Sequence, residues 1–213
     1  MKLNKEEMII TIDSELYSNG EKIAKELSGI LQIPCYGEEI LDRASEISKI
    51  PNKLMHRYDG KAVHAAYDLL AEDESQIRIA PAADFITAQV MAAKQLAAEG
   101  SCILVDRHAN MALAGQKNHV SVYVHADFED RAKAFAEERG MSVEEARKSL
   151  KKEDKAYSHY YKGNNKNWGD ASRYDIAVNV SEAGIKAAVD TIVSFLDIMA
   201  GEQKKAEKQV KVG

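Results

Sequence analysis

An apolar run, Met8 to Ile12, leads into Asp13-Ser14-Glu15-Leu16-Tyr17-Ser18-Asn19-Gly20 and then into a helical pattern that opens with Glu21 and Lys22. A helix that starts just after a strand is an anion site by construction. Its first N–H groups have no partner inside the helix, and its dipole is positive at that end. A complete phosphate loop asks for GxxxxGK[ST], whereas this segment has one glycine, Gly20, and a glutamate where lysine is wanted. An ordinary strand-to-helix turn explains it equally well. A second apolar run, Ile103-Leu104-Val105, ends in Asp106-Arg107. A carboxylate at a strand end can stand near magnesium in a nucleotide site, and a guanidinium is a forked donor for phosphate. The same pair also suits a surface ion pair or a helix cap. A third run, His119 to Val124, is followed by His125-Ala126-Asp127-Phe128-Glu129-Asp130-Arg131. Asp127 with Asp130 three residues on is close to a capping box, which accounts for the acids and leaves Arg131 unexplained.

These residues need elements to hold them. Strand patterns cover 8–12, 101–105, 119–124 and 175–180, and helical spacing covers 21–31, 38–48, 52–70, 83–99, 128–138, 143–162 and 182–200. Short apolar strands alternating with long amphipathic helices predict a three-layer α/β/α domain with a parallel sheet. Ligands of such sheets bind at the carboxyl ends of the strands. Residues 36–80 show no convincing central strand, and 140–172 is charged and helical, so both read as excursions from the sheet. The Lys-rich end, 201–213, lacks a broad apolar face and reads as a solvated, frayed tail.

Composition narrows the classes. The chain has 213 residues, 45% of them hydrophobic, enough for one sizeable core. A net charge of -5 argues against nucleic acid or an anionic membrane as partner and favours a small molecule. No signal-peptide pattern and no span-length apolar stretch is read, so a cytoplasmic location is expected. Cys35 and Cys102 belong to no CxxC or Cys/His cluster and read as reduced thiols. The six histidines show no zinc-ligand spacing.

Several blocks in fixed order carry a resemblance: Ile10-Thr11-Ile12 with Glu15, Ser18 and Gly20; Cys102 to Asn110; Val122 to Arg131; Ser142 to Arg147; Asp154 to Tyr161; Trp168-Gly169-Asp170; Tyr174-Asp175 and Asn179. Through them the chain resembles the cytidylate kinase-like family, a branch of the P-loop nucleoside monophosphate kinases. The resemblance implies a single kinase-like domain over 1–213, with a core of 7–35, 81–139 and 173–200, a nucleotide-clasping insertion at 36–80 and a lid at 140–172. It also implies ATP and Mg2+ as cofactors and a nucleotide or other small phosphorylated substrate, and it allows a homodimer. Tyr17, Ser18, Asn19, Gly20, Glu21 and Lys22 would then cradle the donor phosphates and Asp106 would orient magnesium through water. Arg107 would hold the acceptor, while Arg131, Asp154 and Lys155 would complete the catalytic group.

The departures from that pattern are specific. Tyr17 and Asn19 stand where the family has glycines, Glu21 where it has a basic residue, and Asp106 where it commonly has glycine. Ala156 and Tyr157 fall where lid arginines are usual. Two readings follow: a cytidylate-like kinase, or a kinase-like nucleotide-binding or scaffold protein that has lost turnover. Trp168 reads either as a platform for a base or as an aromatic plug between lid and core. His56, Arg57 and Tyr58 read as nucleotide contacts or as a solvated helix face.

Overall fold

The computed structural model describes residues 8–59, 82–163 and 165–210, with side chains outside 82–84 and 201–210. Five strands form one parallel sheet: β1 (Ile9–Ser14), β2 (Cys35–Tyr36), β3 (Cys102–Val105), β4 (His119–His125) and β5 (Ile176–Asn179), in the order β2-β3-β1-β4-β5. Ile12 pairs with Val105 and, on the other side, with Val122, so β1 is central. Its six residues are all buried, as a strand covered on both faces must be.

Alternation along the strands separates two cores. Ile10, Ile12, Ile103, Val105, Val120 and Val122 pack against α1 (Gly20–Leu31) and α8 (Val180–Val210, broken at Gly184). Ile9, Cys102 and Leu104 face the opposite layer. That layer is built from α2 (Glu39–Ser48), α3 (Asn52–Tyr58), α4 (Ala82–Ala98) and α5 (Ala109–Leu113). The architecture is therefore the expected three-layer α/β/α fold.

Beyond the carboxyl ends of the strands, α6 (Phe128–Arg139) and α7 (Val143–Lys162) form a hairpin with its own small core of Ala132, Phe135, Ala136, Ala146 and Leu150. Helix α7 opens on a reciprocal capping box between Ser142 and Glu145. Its far end is fixed by aromatics. Tyr161 stacks on Trp168 at 5.0 Å, and Tyr157 meets the same indole edge-on at 5.5 Å. Trp168 is buried against Tyr160 and Tyr161 of α7 and Ile86 of α4, in the manner of the aromatic plug.

Other details depart from expectation. The edge strand β2 and the five-residue α5 were not anticipated, β1 runs two residues further, and the backbone of the Lys-rich segment continues as helix to Val210. The expected helix at 52–70 is seen as 52–58, and residues 60–80, which include the remainder of it and the later part of the insertion expected at 36–80, lie outside the described residues. No helix among the described residues is long and apolar enough to cross a membrane.

Candidate functional site

From β1 the chain leaves into α1 on one face, and from β3 it leaves into α5 on the other. Diverging connections open a crevice between the ends of those two strands. A cleft of about 720 Å³ lies there, and the 14–22 loop, Asp59, Asp106, Arg107, Tyr157 and Tyr161 contribute to its wall.

The loop holds a phosphate-loop shape without phosphate-loop glycines. Tyr17 and Asn19 sit at φ 63° and 67°, the left-handed region. An L-residue with a β-carbon pays roughly 1–2 kcal/mol to stay there, asparagine least. Gly20 starts α1 so close to Ser14 that a β-carbon on it would collide with the serine side chain. Neighbouring elements hold the strained loop. The Tyr17 ring packs on Phe135 at 4.9 Å and its hydroxyl donates to Glu138 at 3.0 Å. The Ser18 hydroxyl lies within hydrogen-bond distance of the carbonyls of Glu15 and Val124, at 2.7 and 3.1 Å.

Opposite the loop, Asp106, Arg107 and His108 adopt φ of 55°, 48° and 61° in succession, one left-handed turn made without glycine. The turn sends three side chains three ways. Asp106 accepts from the Ser14 N–H at 3.0 Å and from its hydroxyl at 3.2 Å. Arg107 donates to Asp59 through Nε at 3.1 Å, with Nη2 3.0 Å from the same oxygen. His108 places Nδ1 3.2 Å from Gln89 and packs against Tyr160 and Tyr161, and burial pushes its imidazole down to about 4. The Tyr161 hydroxyl accepts from the Arg107 N–H at 3.1 Å, which brings α7 to the strand end.

Two buried carboxyl groups, Asp13 and Asp106, lie near enough to influence each other at the ends of adjacent strands. Extending the register one step beyond Ile12 and Val105 sets Asp13 beside Asp106. Burial raises Asp13 to about 6, offset by the hydroxyl of Tyr174 at 2.7 Å and the amide of Asn110 at 3.3 Å. Burial, then the neighbouring Asp13 charge, lifts Asp106 to about 8 against the opposing pull of Arg107 and Ser14. Sequence reasoning had not assigned Asp13, Ser14, Asp59 or Tyr174 a role. The one signal for Asp13 was an acid ending an apolar run, as Asp106 does.

Of the residues expected to bind phosphates, Tyr17, Asn19, Gly20, Glu21 and Lys22 line the cleft, whereas Ser18 is buried behind it with its hydroxyl turned to backbone. Asp106 and Arg107 line it too. Arg131, Asp154 and Lys155 are not among its walls: Lys155 is exposed, and Arg131 lies beneath the loop bound to Asp154 at 2.8 Å and near Glu15 at 3.3 Å. His56 pairs with Asp42 at 2.9 Å on the surface.

The residues present fit a magnesium-bound phosphate better than a free one. Among the described residues lining the cleft, six are acids and four are basic, so a bare polyphosphate would meet a net negative wall. No cluster of three or more potential metal ligands occurs among the described residues. Magnesium needs no such cage, since it keeps waters and takes one or two carboxylates plus substrate phosphates. Asp106 lines the cleft and would be a donor of that kind only once ionised, because burial and Asp13 raise it to about 8 and a metal takes the deprotonated carboxylate.

The model of the cytidylate kinase-like family matches residues 9–182. No curated protein matches the chain. Among solved structures, an uncharacterized protein from Eubacterium ventriosum is 24% identical with a TM-score of 0.66, over 89% of this chain and 98% of that one. A gluconokinase from Sinorhizobium meliloti is 10% identical with a TM-score of 0.56, over 95% and 99%. A shikimate kinase from Bacteroides thetaiotaomicron is 12% identical with a TM-score of 0.51, over 89% and 98%. At these identities the likeness is one of fold.

Proposed function

The chain belongs to the cytidylate kinase-like family, and from that premise we propose that it is an ATP-dependent phosphotransferase acting on a small phosphorylated acceptor, a nucleoside monophosphate of the cytidylate kind. One observation carries the reading: Tyr17 and Asn19 keep left-handed backbone where glycine would be free of strain. Strain of this sort persists where surrounding structure imposes it, and it gathers at binding sites.

In this reading the N–H groups at the start of α1 and the side chain of Lys22 receive the donor phosphates. Asp106 would hold magnesium through water, and Arg107 would meet the acceptor's phosphate. Magnesium-bound ATP, when present, supplies the transferable phosphoryl group and neutralises its charge. The protein's own part is positional: a preformed loop on one wall, a strand-end acid on the other, and Tyr157 and Tyr161 over the crevice to exclude water.

The pairing of Arg107 with Asp59 favours a second reading, a kinase-like nucleotide binder without turnover. ADP release measured with magnesium-ATP and a panel of nucleoside monophosphates, alongside thermal shift, separates the two. The kinase reading expects a shift with nucleotide and ADP release with at least one acceptor. A shift without release selects the binder, and no shift at millimolar nucleotide overturns both.

A further inference from the structure

We propose that Arg131 is a positioning residue: it is the hub through which the lid helix α7 holds the phosphate loop in its left-handed shape. The guanidinium is almost wholly buried, and its contacts reach the phosphate loop and α7, both remote in sequence, and the nearby end of β4. Nη1 donates to both Asp154 carboxylate oxygens on α7, at 2.8 and 3.0 Å, and to the Leu16 carbonyl in the loop at 3.2 Å. Nε donates to the Ala126 carbonyl at the end of β4 at 3.2 Å and lies 3.3 Å from the Glu15 carboxylate. Glu15 in turn accepts from the Ala126 N–H at 3.2 Å.

The arrangement has a physical purpose that the loop's own sequence cannot serve. A glycine-rich loop reaches φ above zero unaided, but Tyr17 and Asn19 must be held there from outside. Arg131 grips the loop on both sides of Leu16's peptide, and Leu16 and Tyr17 border the small core of the α6–α7 hairpin. On α7 the stripe of Ala146 and Leu150 continues one turn further to Asp154, so the acid that engages Arg131 sits on the face already packed against α6. Nε and Nη1 of this buried guanidinium are thus committed to two carboxylates and two carbonyls of the protein itself. Loop shape and lid position are thereby one structural variable.

This inference rests on reading the loop as a phosphate site, and the test keeps the two apart. Hydrogen exchange across residues 15–20 is compared in the wild type, Asp154→Asn, Asp154→Glu and Ser142→Ala, with the affinity of each for magnesium pyrophosphate. Asp154→Asn is expected to speed exchange in the loop by about tenfold, local opening being set by such tethers, and to weaken pyrophosphate binding. Simple electrostatics expects the opposite sign for binding, since the substitution removes a negative charge near an anion. Asp154→Glu is expected to restore part of both effects. Ser142→Ala loosens the start of the same helix without touching the hub and is expected to leave loop exchange unchanged. Unaltered loop exchange in Asp154→Asn, or an equal rise in Ser142→Ala, overturns the proposal. A wild type that fails to bind pyrophosphate overturns the phosphate-site reading, while the exchange data still decide the hub.

Discussion

Ser14 gives both its backbone N–H and its hydroxyl to Asp106, at 3.0 and 3.2 Å, and so ties the end of β1 to the left-handed turn after β3. The carboxyl group that accepts them is buried beside Asp13 and carries a proton affinity raised to about 8. A raised carboxyl group favours folding below its unfolded value, near 3.8, and that advantage is lost as pH climbs to the folded value.

The first prediction follows from that sign. Wild-type stability falls between about pH 4 and pH 8 through Asp106, with Asp13 contributing up to about pH 6. Asp106→Asn keeps an acceptor for the Ser14 N–H and removes the titration. At pH 8.5 the variant is expected to be more stable than the wild type by several kcal/mol, each unit of the rise from 3.8 to about 8 being worth about 1.4. The gap should shrink at pH 5, and denaturant unfolding at the two pH values measures it.

Gly20→Ala is expected to lower Tm by roughly 3–9 °C, the cost of overpacking by about 1–3 kcal/mol in a chain of this size. The collision is with the Ser14 side chain. Ser14→Gly in the same protein should therefore recover most of the loss and Ser14→Ala little, since alanine keeps the offending β-carbon. Thermal scans of the single and double variants settle the matter.

Glu21→Arg should act in opposite directions on stability and binding. An acid in the first turn of α1 is favourable to the helix dipole, so its replacement is expected to cost about 0.3–1 kcal/mol. The same change turns a cleft-lining charge positive. Affinity for magnesium pyrophosphate should then rise roughly fivefold or more, by Coulomb attraction near a surface. Unchanged or weaker affinity in calorimetry would show that the loop does not face the anion.

Asp59→Asn frees the Arg107 guanidinium from its ion pair. Binding of cytidylate is expected to tighten by about tenfold, the scale of one charge-assisted hydrogen bond. Stability is expected to drop by about 1–3 kcal/mol as the buried arginine loses its partner. If cytidylate affinity does not move while stability does, Arg107 is a structural cation only.

The layering of the fold was legible because each buried strand and each long helix states its period locally. β2 was not: it has two residues, Cys35 and Tyr36, and is a strand only because β3 offers it an edge. Ser142 and Glu145 spell a capping box in four letters, whereas Asp127 and Asp130 only looked like one. Asp127 caps with no side-chain bond and accepts from Asn179 at 3.2 Å instead. The candidate site was readable as residue types and hardly at all as pairings. Arg131 meets Glu15 and Asp154 across separations of 116 and 23 residues, and nothing in the order of residues announces which carboxylates a guanidinium will find. The left-handed turn at Asp106 was hidden for a different reason: its three residues include no glycine to mark it.

That turn makes Asp106, Arg107 and His108 a junction of three walls, with the acid committed to β1, the base to α3's end and the imidazole to α4. Loss of one residue there would do more than shorten a connection. Each remaining side chain would be delivered to its neighbour's wall, placing the wrong chemistry at every one of them. The segment therefore works as an address label for the whole crevice, and its length is as much a part of the site as its composition.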